Sequence, residues 1–318
     1  DRHGGAAERL DSALPYTQRL PPTVTYDDAA HGLRCVECDG RYGPSIDGMR
    51  RAIDCCGSVS DVDRDDIPVC SVPVKLDPEE RAATGWSDRQ LIFLQAVYDA
   101  QQLRFDPLEY DLLSDSMLRL QEYIGIDSAA VTDLIEAGLL REDTTHPHRL
   151  YSVTTEGRSV LGESYRRGVD YGHGKGDLEE SSAHVLLVEL GRRYLEAEYA
   201  DDDASSVVEV VPYYEPNPDQ TAEVPASAAM GTEGDAIESA VEDAERRRLD
   251  VAGLDADGSV VVALEAERIN NDVHRAVPED FDKMAACDVD EALWAVLTQS
   301  DGHRVLSVLN NPAEGDPR

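Results

Sequence analysis

Residues 249–268, LDVAGLDADGSVVVALEAER, constrain the fold more than any other stretch of the sequence. Two apolar runs flank Asp257-Gly258, a dipeptide typical of the tight turn in a β-hairpin. The register centred on that turn gives three pairs: Leu254 with Val261, Ala252 with Ala263, and Asp250 with Glu265. The stretch therefore predicts antiparallel strands over residues 248–254 and 259–267 that bring two carboxylates face to face.

The carboxylates of this hairpin stand where a strand should be apolar. Directly opposed side chains have Cβ atoms about 5 Å apart, and Glu267 lies two residues past Glu265, on the same face. Burying like charges without a partner costs several kcal/mol or forces protonation. A divalent cation resolves the conflict, and Mg²⁺ prefers carboxylate oxygens. The pattern therefore predicts a Mg²⁺ site held by Asp250 and Glu265.

Asp250, the apolar run after it and Glu265-Ala266-Glu267 together resemble the signature of the PD-(D/E)xK nuclease superfamily. That superfamily often has Pro-Asp and Glu-x-Lys at these places, and some members carry Glu at the last position. The order of expected elements also resembles the restriction-endonuclease-like α-β-β-β-α-β core: helix 177–199, strand 206–211, strand 248–254, strand 259–267, helix 278–287 and strand 293–298. A last strand is expected between there and residue 310.

This resemblance implies metal-dependent hydrolysis of phosphodiester bonds. Asp250 and Glu265 would hold Mg²⁺, which polarises the phosphate and lowers the pKa of a bound water. Glu267 would orient or deprotonate that water. The superfamily's fold also occurs with decayed sites, so a non-catalytic domain is the alternative.

Two further catalytic roles follow from the resemblance. The first helix of these nucleases often contributes an acid, for which Glu189 is best placed, with Glu180 behind it. The lysine of the motif is missing at residue 267. Lys283 on the later helix, or Arg268, is expected to supply its positive charge.

Five of the six cysteines lie between residues 35 and 70. Cys35-Val-Glu-Cys38 can grip one ion from a tight turn, and Cys55-Cys56 can close a tetrahedral zinc site. Adjacent cysteines chelate one ion awkwardly, so Cys70 is an alternative to one of them, and His31 is a spare ligand. We expect a structural four-cysteine zinc ribbon over residues 30–75, with reduced thiols that bind no metal as the alternative.

Residues 86–170 have the pattern of a winged helix-turn-helix domain. Apolar residues recur at helical spacing over residues 87–103 and after Ser114, and a third helix follows Gly125 with Asp127 or Ser128 as its cap. Two short strands, Leu139-Leu140 and Leu150–Val153, flank a His-Pro-His tip, and Thr154 opens another helix. The order resembles winged-helix domains, which implies DNA binding.

The third helix of this domain carries Asp127, Asp133 and Glu136 and no basic residue, which argues against arginine contacts to bases in the major groove. The wing and its flank are the predicted phosphate-binding surface. Its residues are Arg141, His146, His148, Arg149, Arg158, Arg166, Arg167 and Lys175. A winged helix that serves protein contacts or dimerisation is the alternative.

The charge of the chain sets the background for these assignments. It has 65 acidic and 29 basic residues among 318, a formal net charge of −36. Such a surface is tolerated when salt shortens the Debye length to about 3 Å at 1 M, and the composition resembles that of proteins from salt-accumulating halophilic archaea. No apolar run is long enough to span a membrane, and we expect a cytoplasmic protein.

Together these features predict a multidomain protein of α/β and α+β class. Its parts are a flexible segment 1–29, the zinc ribbon 30–75, the winged helix 86–170 and a nuclease-like domain 177–310 with an insertion at 212–245. This order loosely resembles the replication-relaxation family of plasmid and mobile-element proteins. We expect a DNA-binding, Mg²⁺-dependent nuclease, and a homodimer is a further expectation. The alternatives are a non-catalytic DNA-binding regulator and an acidic scaffold that binds a protein partner.

Overall fold

The structure is a computed structural model that describes residues 19–69, 72, 74–163, 180–200, 205–216, 248–269 and 273–311. The chain divides into two compact units, residues 1–166 and residues 167–318. The described residues form nine α-helices and three small sheets, so the fold is mixed α+β.

Several predicted features lie outside the described residues. They are Cys70, Arg166, Arg167, Lys175, residues 1–18 of the expected N-terminal segment and residues 217–247 of the expected insertion and its end. Two strands extend into these segments: Val24–Asp27 lies in the expected flexible segment, and Glu209–Tyr214 continues three residues past the predicted strand 206–211 into the expected insertion.

The first sheet carries the cysteine segment. Strands β1 (Val24–Asp27), β2 (Gly32–Cys35) and β3 (Arg41–Tyr42) pair antiparallel in that order. Helix α1 (Ile46–Asp54) follows, and Ser45 caps it by accepting a hydrogen bond from Gly48 N at 3.1 Å. The inward faces form a small core that includes Val24, Leu33, Met49, Ile53 and Ile67. A core of this size stabilises little by itself, so the segment needs a metal or ties to its neighbours.

The rest of the first unit is mostly helical. Its helices are α2 (Pro78–Thr84), α3 (Asp88–Gln101), α4 (Met117–Ile124) and α5 (Ser128–Glu136). Helix α3 is buried on nearly all sides. Gly125 adopts a left-handed φ of 67° between α4 and α5, as a tight turn requires, and Asp127 caps α5 by accepting from Ala130 N at 2.8 Å. The order helix, turn, helix is as predicted, and of the two predicted caps, Asp127 and Ser128, Asp127 is the one observed.

A two-stranded sheet follows these helices. Strands β4 (Leu140–Thr144) and β5 (Leu150–Val153) pair antiparallel around the tip at residues 146–148, and helix α6 (Thr155–Val160) begins after Thr154. The first strand runs four residues beyond the predicted Leu140 because Glu142 and Thr144 continue the pairing across a bulge.

Asp115 joins the cysteine segment to the helices of the first unit. Its Oδ2 accepts from Arg64 Nη2 at 2.6 Å and from Arg119 Nη1 at 2.9 Å. Arg119 also donates to the carbonyl oxygens of Arg64 and Ile67, and Tyr123 donates to that of Ile67 at 2.9 Å. The Asp115 carboxylate is almost buried, so its charge-assisted bonds are strong and their loss is costly.

The second unit is a sheet between helices. Helix α7 (Ser182–Leu195) precedes strands β6 (Glu209–Tyr214), β7 (Leu249–Leu254) and β8 (Val260–Ala266), and helix α8 (Val273–Ala286), strand β9 (Glu291–Ala295) and helix α9 (Gln299–Asn310) follow. The sheet order is β6-β7-β8-β9, with β8 and β9 parallel and the other neighbours antiparallel.

The two faces of this sheet are covered by different helices. On one face, Met284 and Cys287, in and just after α8, pack with Ala252 and Ala263 of the central strands. On the other face α7 approaches so closely that a Cβ on Gly191 would lie 2.6 Å from a methyl carbon of Leu264. The central strands are therefore buried on both sides, which explains their unbroken apolar runs.

The hairpin of β7 and β8 has the predicted register over most of its length. Ala252 pairs with Ala263 as expected, and Val251 pairs with Leu264. Near the turn the prediction was wrong, because Leu254 pairs with Val260 and not with Val261, across an irregularity. The loop is held by Asp255, whose carboxylate accepts from the N–H groups of Asp257 and Ser259.

The prediction of a last strand before residue 310 was wrong, because residues 299–310 form helix α9. Thr298 accepts from Asp301 N at 3.2 Å and so starts a helix. Val305, Val308 and Leu309 pack against Val273 and Val277 of α8, which begins at Val273 and not at residue 278.

Candidate metal centre and buried acidic site

Four of the predicted cysteine ligands converge in the first unit. The sulfur atoms of Cys35, Cys38, Cys55 and Cys56 all lie within 4.8 Å of one another. The sulfurs of Cys38 and Cys55 are 3.5 Å apart, close to the spacing of about 3.8 Å that a tetrahedral zinc–thiolate centre requires. Among the described residues no other set of three or more ligands is this compact.

Local structure places the two cysteine pairs. Cys35 ends β2, and a tight turn follows in which Cys35 N donates to Gly40 O at 2.9 Å. A Cβ on Gly40 would lie 2.9 Å from the Tyr42 hydroxyl oxygen and 3.2 Å from the sulfur of Cys38, so a larger residue here would crowd the cysteine site. Cys55 ends helix α1 and Cys56 follows it. The second pair thus comes from a helix end, which differs from the second hairpin of an ideal zinc ribbon.

The chemistry of the four sulfurs suits a soft, thiolate-binding cation. The pKa of Cys35 is lowered to about 7, mainly because the backbone N–H of Cys38 donates to its sulfur and also because of the neighbouring Cys55. Cys35 is buried, whereas Cys38, Cys55 and Cys56 are exposed. His31, the spare ligand, is not part of the compact set. The four cysteines could therefore hold a metal ion, and zinc is compatible with them.

The second site surrounds the buried carboxylates of β7 and β8. Asp250 is 8 % exposed and Glu265 is 3 % exposed. The register of the hairpin, continued by one residue from Val251 and Leu264, places the two opposite each other. Asp250 Oδ2 also accepts from Ala266 N at 2.8 Å, which fixes its carboxylate at the end of the hairpin.

Lys283 of helix α8 reaches this pair. Its Nζ lies 2.9 Å from Glu265 Oε1 and 3.0 Å from Asp280 Oδ1. The structure thus brings together three of the five predicted catalytic residues: Asp250, Glu265 and Lys283. The ammonium group of Lys283 therefore lies between Glu265 and Asp280 and is a counter-charge for the buried Glu265.

His184 of helix α7 approaches the pair on the other side. Its Nε2 lies 3.4 Å from Asp250 Oδ1 and 3.6 Å from Glu180 Oε2. Both distances exceed the usual hydrogen-bond range of about 2.7–3.2 Å, and this buried nitrogen has no hydrogen-bond partner among the described residues. Glu180 is also paired with Arg248 at 2.6 Å.

Burial and charge together set the protonation of this cluster. The pKa of Glu265 is raised well above its usual value by burial and by Asp250, with Lys283 opposing both. Burial disfavours a charged Asp250, but His184 and Lys283 outweigh it and lower the Asp250 pKa. Burial likewise disfavours a charged His184, yet Asp250 and Glu180 raise its pKa to about 9. At neutral pH, Asp250 is ionised and His184 is protonated.

The other two predicted catalytic acids have different surroundings. Glu189 accepts from Arg192 at 2.7 Å through each of its oxygens and from Arg193 at 3.0 Å, all on its own helix. Those arginines lower its pKa despite partial burial. Glu267 is 7 % exposed and lies just beyond β8, where its N–H donates to Ala295 O at 2.9 Å. Arg268, the alternative cation, contacts the Ser181 hydroxyl.

The predicted phosphate-binding residues of the wing are largely occupied by the protein itself. Arg141 pairs with Asp143 at 3.0 Å, and Arg149 lies 3.6 Å from Glu142. His148 Nε2 lies 3.0 Å from the carbonyl oxygen of Leu113. The predicted phosphate contact of Arg158 is not supported. Arg158 is only 7 % exposed and donates to Thr155, so its guanidinium is not available to a phosphate.

His184 is the residue of the acidic site that the sequence argument missed. It stands four residues after Glu180 within the predicted helix, so the two share a helix face. The sequence also contains a pattern that argues against a catalytic role for Glu189. Arginines stand three and four residues later, and such residues pair with an acid along one helix face.

Comparison of the chain with family models, curated proteins and solved structures gave no match. Within the described residues, no helix combines the length and the hydropathy that a membrane crossing requires.

Proposed function

We propose that the chain is a DNA-binding protein whose second unit hydrolyses phosphodiester bonds with the help of Mg²⁺. The observation that carries this proposal is the set Asp250, Glu265 and Lys283. Two buried carboxylates stand on adjacent antiparallel strands, and a lysine from the next helix lies 2.9 Å from one of them. A carboxylate pair with a nearby lysine is what the nuclease motif requires, although here the lysine comes from a helix.

The order of elements supports the same proposal. Helix α7, strands β6 to β8, helix α8 and strand β9 follow the α-β-β-β-α-β sequence of the restriction-endonuclease-like core. The sheet has the two central acids on neighbouring strands β7 and β8. In the first unit, α4, α5 and the β4–β5 pair have the order of a winged helix, and the four cysteines suit a zinc site.

The donors of the acidic site suit Mg²⁺. This ion commonly takes one or two carboxylates and completes its shell with water and substrate phosphate, and Asp250 and Glu265 would supply the two carboxylates. When bound, Mg²⁺ would polarise the phosphate and acidify a water molecule.

The chain's own residues would do the remaining work. Ala266 N fixes the orientation of Asp250, and Lys283 holds the Glu265 carboxylate and can offer a proton to a phosphate oxygen. Glu267, at the end of the same strand, would orient the attacking water. Protonated His184 balances the charge of Asp250 from helix α7.

Cleavage assays test the proposal. Zinc-loaded protein is incubated with supercoiled and with linear DNA at high KCl, with Mg²⁺ or without added divalent cation. We expect Mg²⁺-dependent cleavage that Asp250→Asn and Glu265→Gln abolish. Asp257→Asn changes an acid of the same hairpin but keeps a turn-forming pair, so it should cut normally. Absence of cleavage by the wild-type protein with either Mg²⁺ or Mn²⁺ would refute the catalytic assignment.

A non-catalytic DNA-binding protein with a decayed nuclease domain is the second candidate. The observation that favours it is the self-neutralised cluster, in which Lys283 and His184 already balance Glu265 and Asp250. Glu189, the acid expected from the first helix, is also held by two arginines. Under this candidate the wild-type protein retains DNA but cuts none. An acidic scaffold that touches no DNA would do neither.

The acidic composition indicates the salt conditions in which the protein works. A net charge of −36 repels both itself and DNA in dilute buffer. High salt screens this repulsion, so we propose that the protein works in a salt-rich cytoplasm such as that of halophilic archaea. Stability that rises with KCl concentration would support this environment, and stability that falls would speak against it.

A further inference from the structure

The sheet of the cysteine segment opposes two arginines. In the register of β2 and β3, Arg34 pairs with Arg41, while Leu33 pairs with Tyr42. Leu33 and Cys35 are buried and both arginines are exposed, so the arginines share the solvent face. Thr25 of β1 pairs with Arg34 and is also exposed. We call Thr25, Arg34 and Arg41 the arginine face.

Like charges directly opposed on one sheet face destabilise the pair of strands. This chain has only 29 basic residues against 65 acidic ones, so acids to neutralise the two arginines are abundant. Nevertheless only Arg34 is paired, with Asp39 at 2.8 Å, and both side chains of that pair are largely exposed. Arg41 has no hydrogen bond or ion pair within the described part of the chain. The guanidinium of Arg41 is therefore available to bind an anionic group of another molecule.

The arginine face contrasts with the wing. Arg141 and Arg149 of the wing each have an acidic neighbour on their own strand pair, and Arg158 is buried. A phosphate approaching the wing must displace a carboxylate, whereas a phosphate approaching Arg41 displaces only water. The electrostatic cost of contact is thus lower at Arg41 than at the wing, whereas Arg34, like the wing arginines, has a carboxylate to displace, that of Asp39.

We propose that the arginine face binds the phosphate backbone of duplex DNA. This inference deepens the proposed DNA binding, on which it depends, by moving the main contact from the wing to the cysteine segment. Opposed residues lie about 5 Å apart, which lets two guanidinium groups reach neighbouring phosphates. The Thr25 hydroxyl donates to the carbonyl oxygen of Arg34 at 3.4 Å and borders the two arginines. High salt shortens the Debye length to about 3 Å at 1 M, so direct contacts persist while the repulsion from the distant acids is screened.

The cysteine site prepares this face for binding. Arg34 is adjacent to the ligand Cys35, and the turn from Cys35 to Gly40 leads into Arg41. A metal ion on the four cysteines would fix that turn, and with it the separation of the two guanidinium groups. Binding would then not have to order these strands.

The test compares two double variants of the zinc-loaded full chain that remove the same amount of charge. Arg34→Gln/Arg41→Gln alters the arginine face, and Arg141→Gln/Arg149→Gln alters the wing. Binding to a fluorescein-labelled duplex is followed by anisotropy without Mg²⁺ over a series of KCl concentrations. Zinc content and circular dichroism confirm that each variant is folded.

We expect weaker binding by the arginine-face variant, with a slope of log affinity against log salt that is shallower by about 2, because each lost phosphate contact contributes about 0.9. The wing variant should keep the wild-type slope. Loss of slope in the wing variant alone would overturn the inference and leave the proposed DNA binding intact. Absence of DNA retention by the wild-type chain would overturn both.

Discussion

Lys283 gives the sharpest stability prediction, because it is the buried counter-charge of Glu265. Their Nζ and Oε1 atoms are 2.9 Å apart, and their side chains are 13 % and 4 % exposed. At an effective dielectric constant of about 20, the attraction at this distance is about 6 kcal/mol. The cost of burying Lys283 cancels part of that gain, and removing one partner of a buried pair typically costs about 3–5 kcal/mol. We expect Lys283→Met to lower the free energy of unfolding of the second unit by about 3 kcal/mol at neutral pH.

The assay uses the two tryptophans, one in each unit. In a Trp86→Phe background, Trp294 of β9 reports unfolding of the second unit by urea at about 1 M KCl, where exposed charges are screened. The matched control is Arg275→Met on the same helix, whose pair with Glu279 is more than half exposed on both sides. That control should cost at most about 0.5 kcal/mol.

The protonation of Glu265 adds a pH dependence to this prediction. Its pKa is raised in the folded state, so an ionised Glu265 destabilises the fold as pH rises above the unfolded value of about 4.3. Without Lys283 this penalty grows, and it should shrink as the pH falls towards that value and Glu265 takes a proton. Glu265→Gln should likewise restore part of the stability of Lys283→Met. A loss no larger than that of Arg275→Met, or no recovery in the double variant, would refute the argument.

Three further predictions concern other parts of the chain. Asp115→Asn should lower the free energy of unfolding in urea by about 3 kcal/mol, whereas the exposed Asp133→Asn should change it little. Arg64 lowers the folded-state pKa of Asp115 despite burial, so the difference should be complete above the unfolded pKa and be lost as the pH falls through the lower folded pKa. Gly191→Ala should lower the free energy of unfolding by about 1–3 kcal/mol in thermal unfolding, because the added Cβ would overlap Leu264. Gly302→Ala in α9 should be neutral or stabilising, because its added Cβ would lie 3.6 Å from the nearest atom. Equal effects of the two substitutions would contradict the close packing of α7 on the sheet. Cys56→Ser should lower zinc content below one ion per chain by elemental analysis, and unchanged content would remove Cys56 from the site.

The hairpin and the site on it were predictable because local signals agree there. Asp257-Gly258 set the turn and thereby the pairing of Ala252 with Ala263. The bulge near Leu254 was not predictable, because it depends on how the Asp255 carboxylate binds two backbone N–H groups of the loop. Lys283 could be named from the sequence only as one of two alternatives, since its reach to Glu265 depends on how α8 packs on the sheet.

The errors arose where apolar pattern and capping signals competed. A last strand was expected before residue 310, but the cap formed by Thr298 and Asp301 starts a helix there. Glu189 was favoured because it lies in an apolar helix, yet the arginines that follow it neutralise it locally. His184 could not be assigned from spacing alone, because its contact with Asp250 joins a helix to a strand more than 60 residues later in the sequence.

Counting the ions bound at the acidic site tests the central claim most directly. Zinc-loaded protein is titrated with Mn²⁺ at about 1 M KCl, where non-specific attraction to surface acids is screened, and free Mn²⁺ is measured by electron paramagnetic resonance. We predict one Mn²⁺ per chain in the wild-type protein, loss of this ion in Asp250→Asn and in Glu265→Gln, and its retention in Asp257→Asn. No bound ion in the wild-type protein, or an ion that survives both substitutions, would contradict a metal site between these two carboxylates.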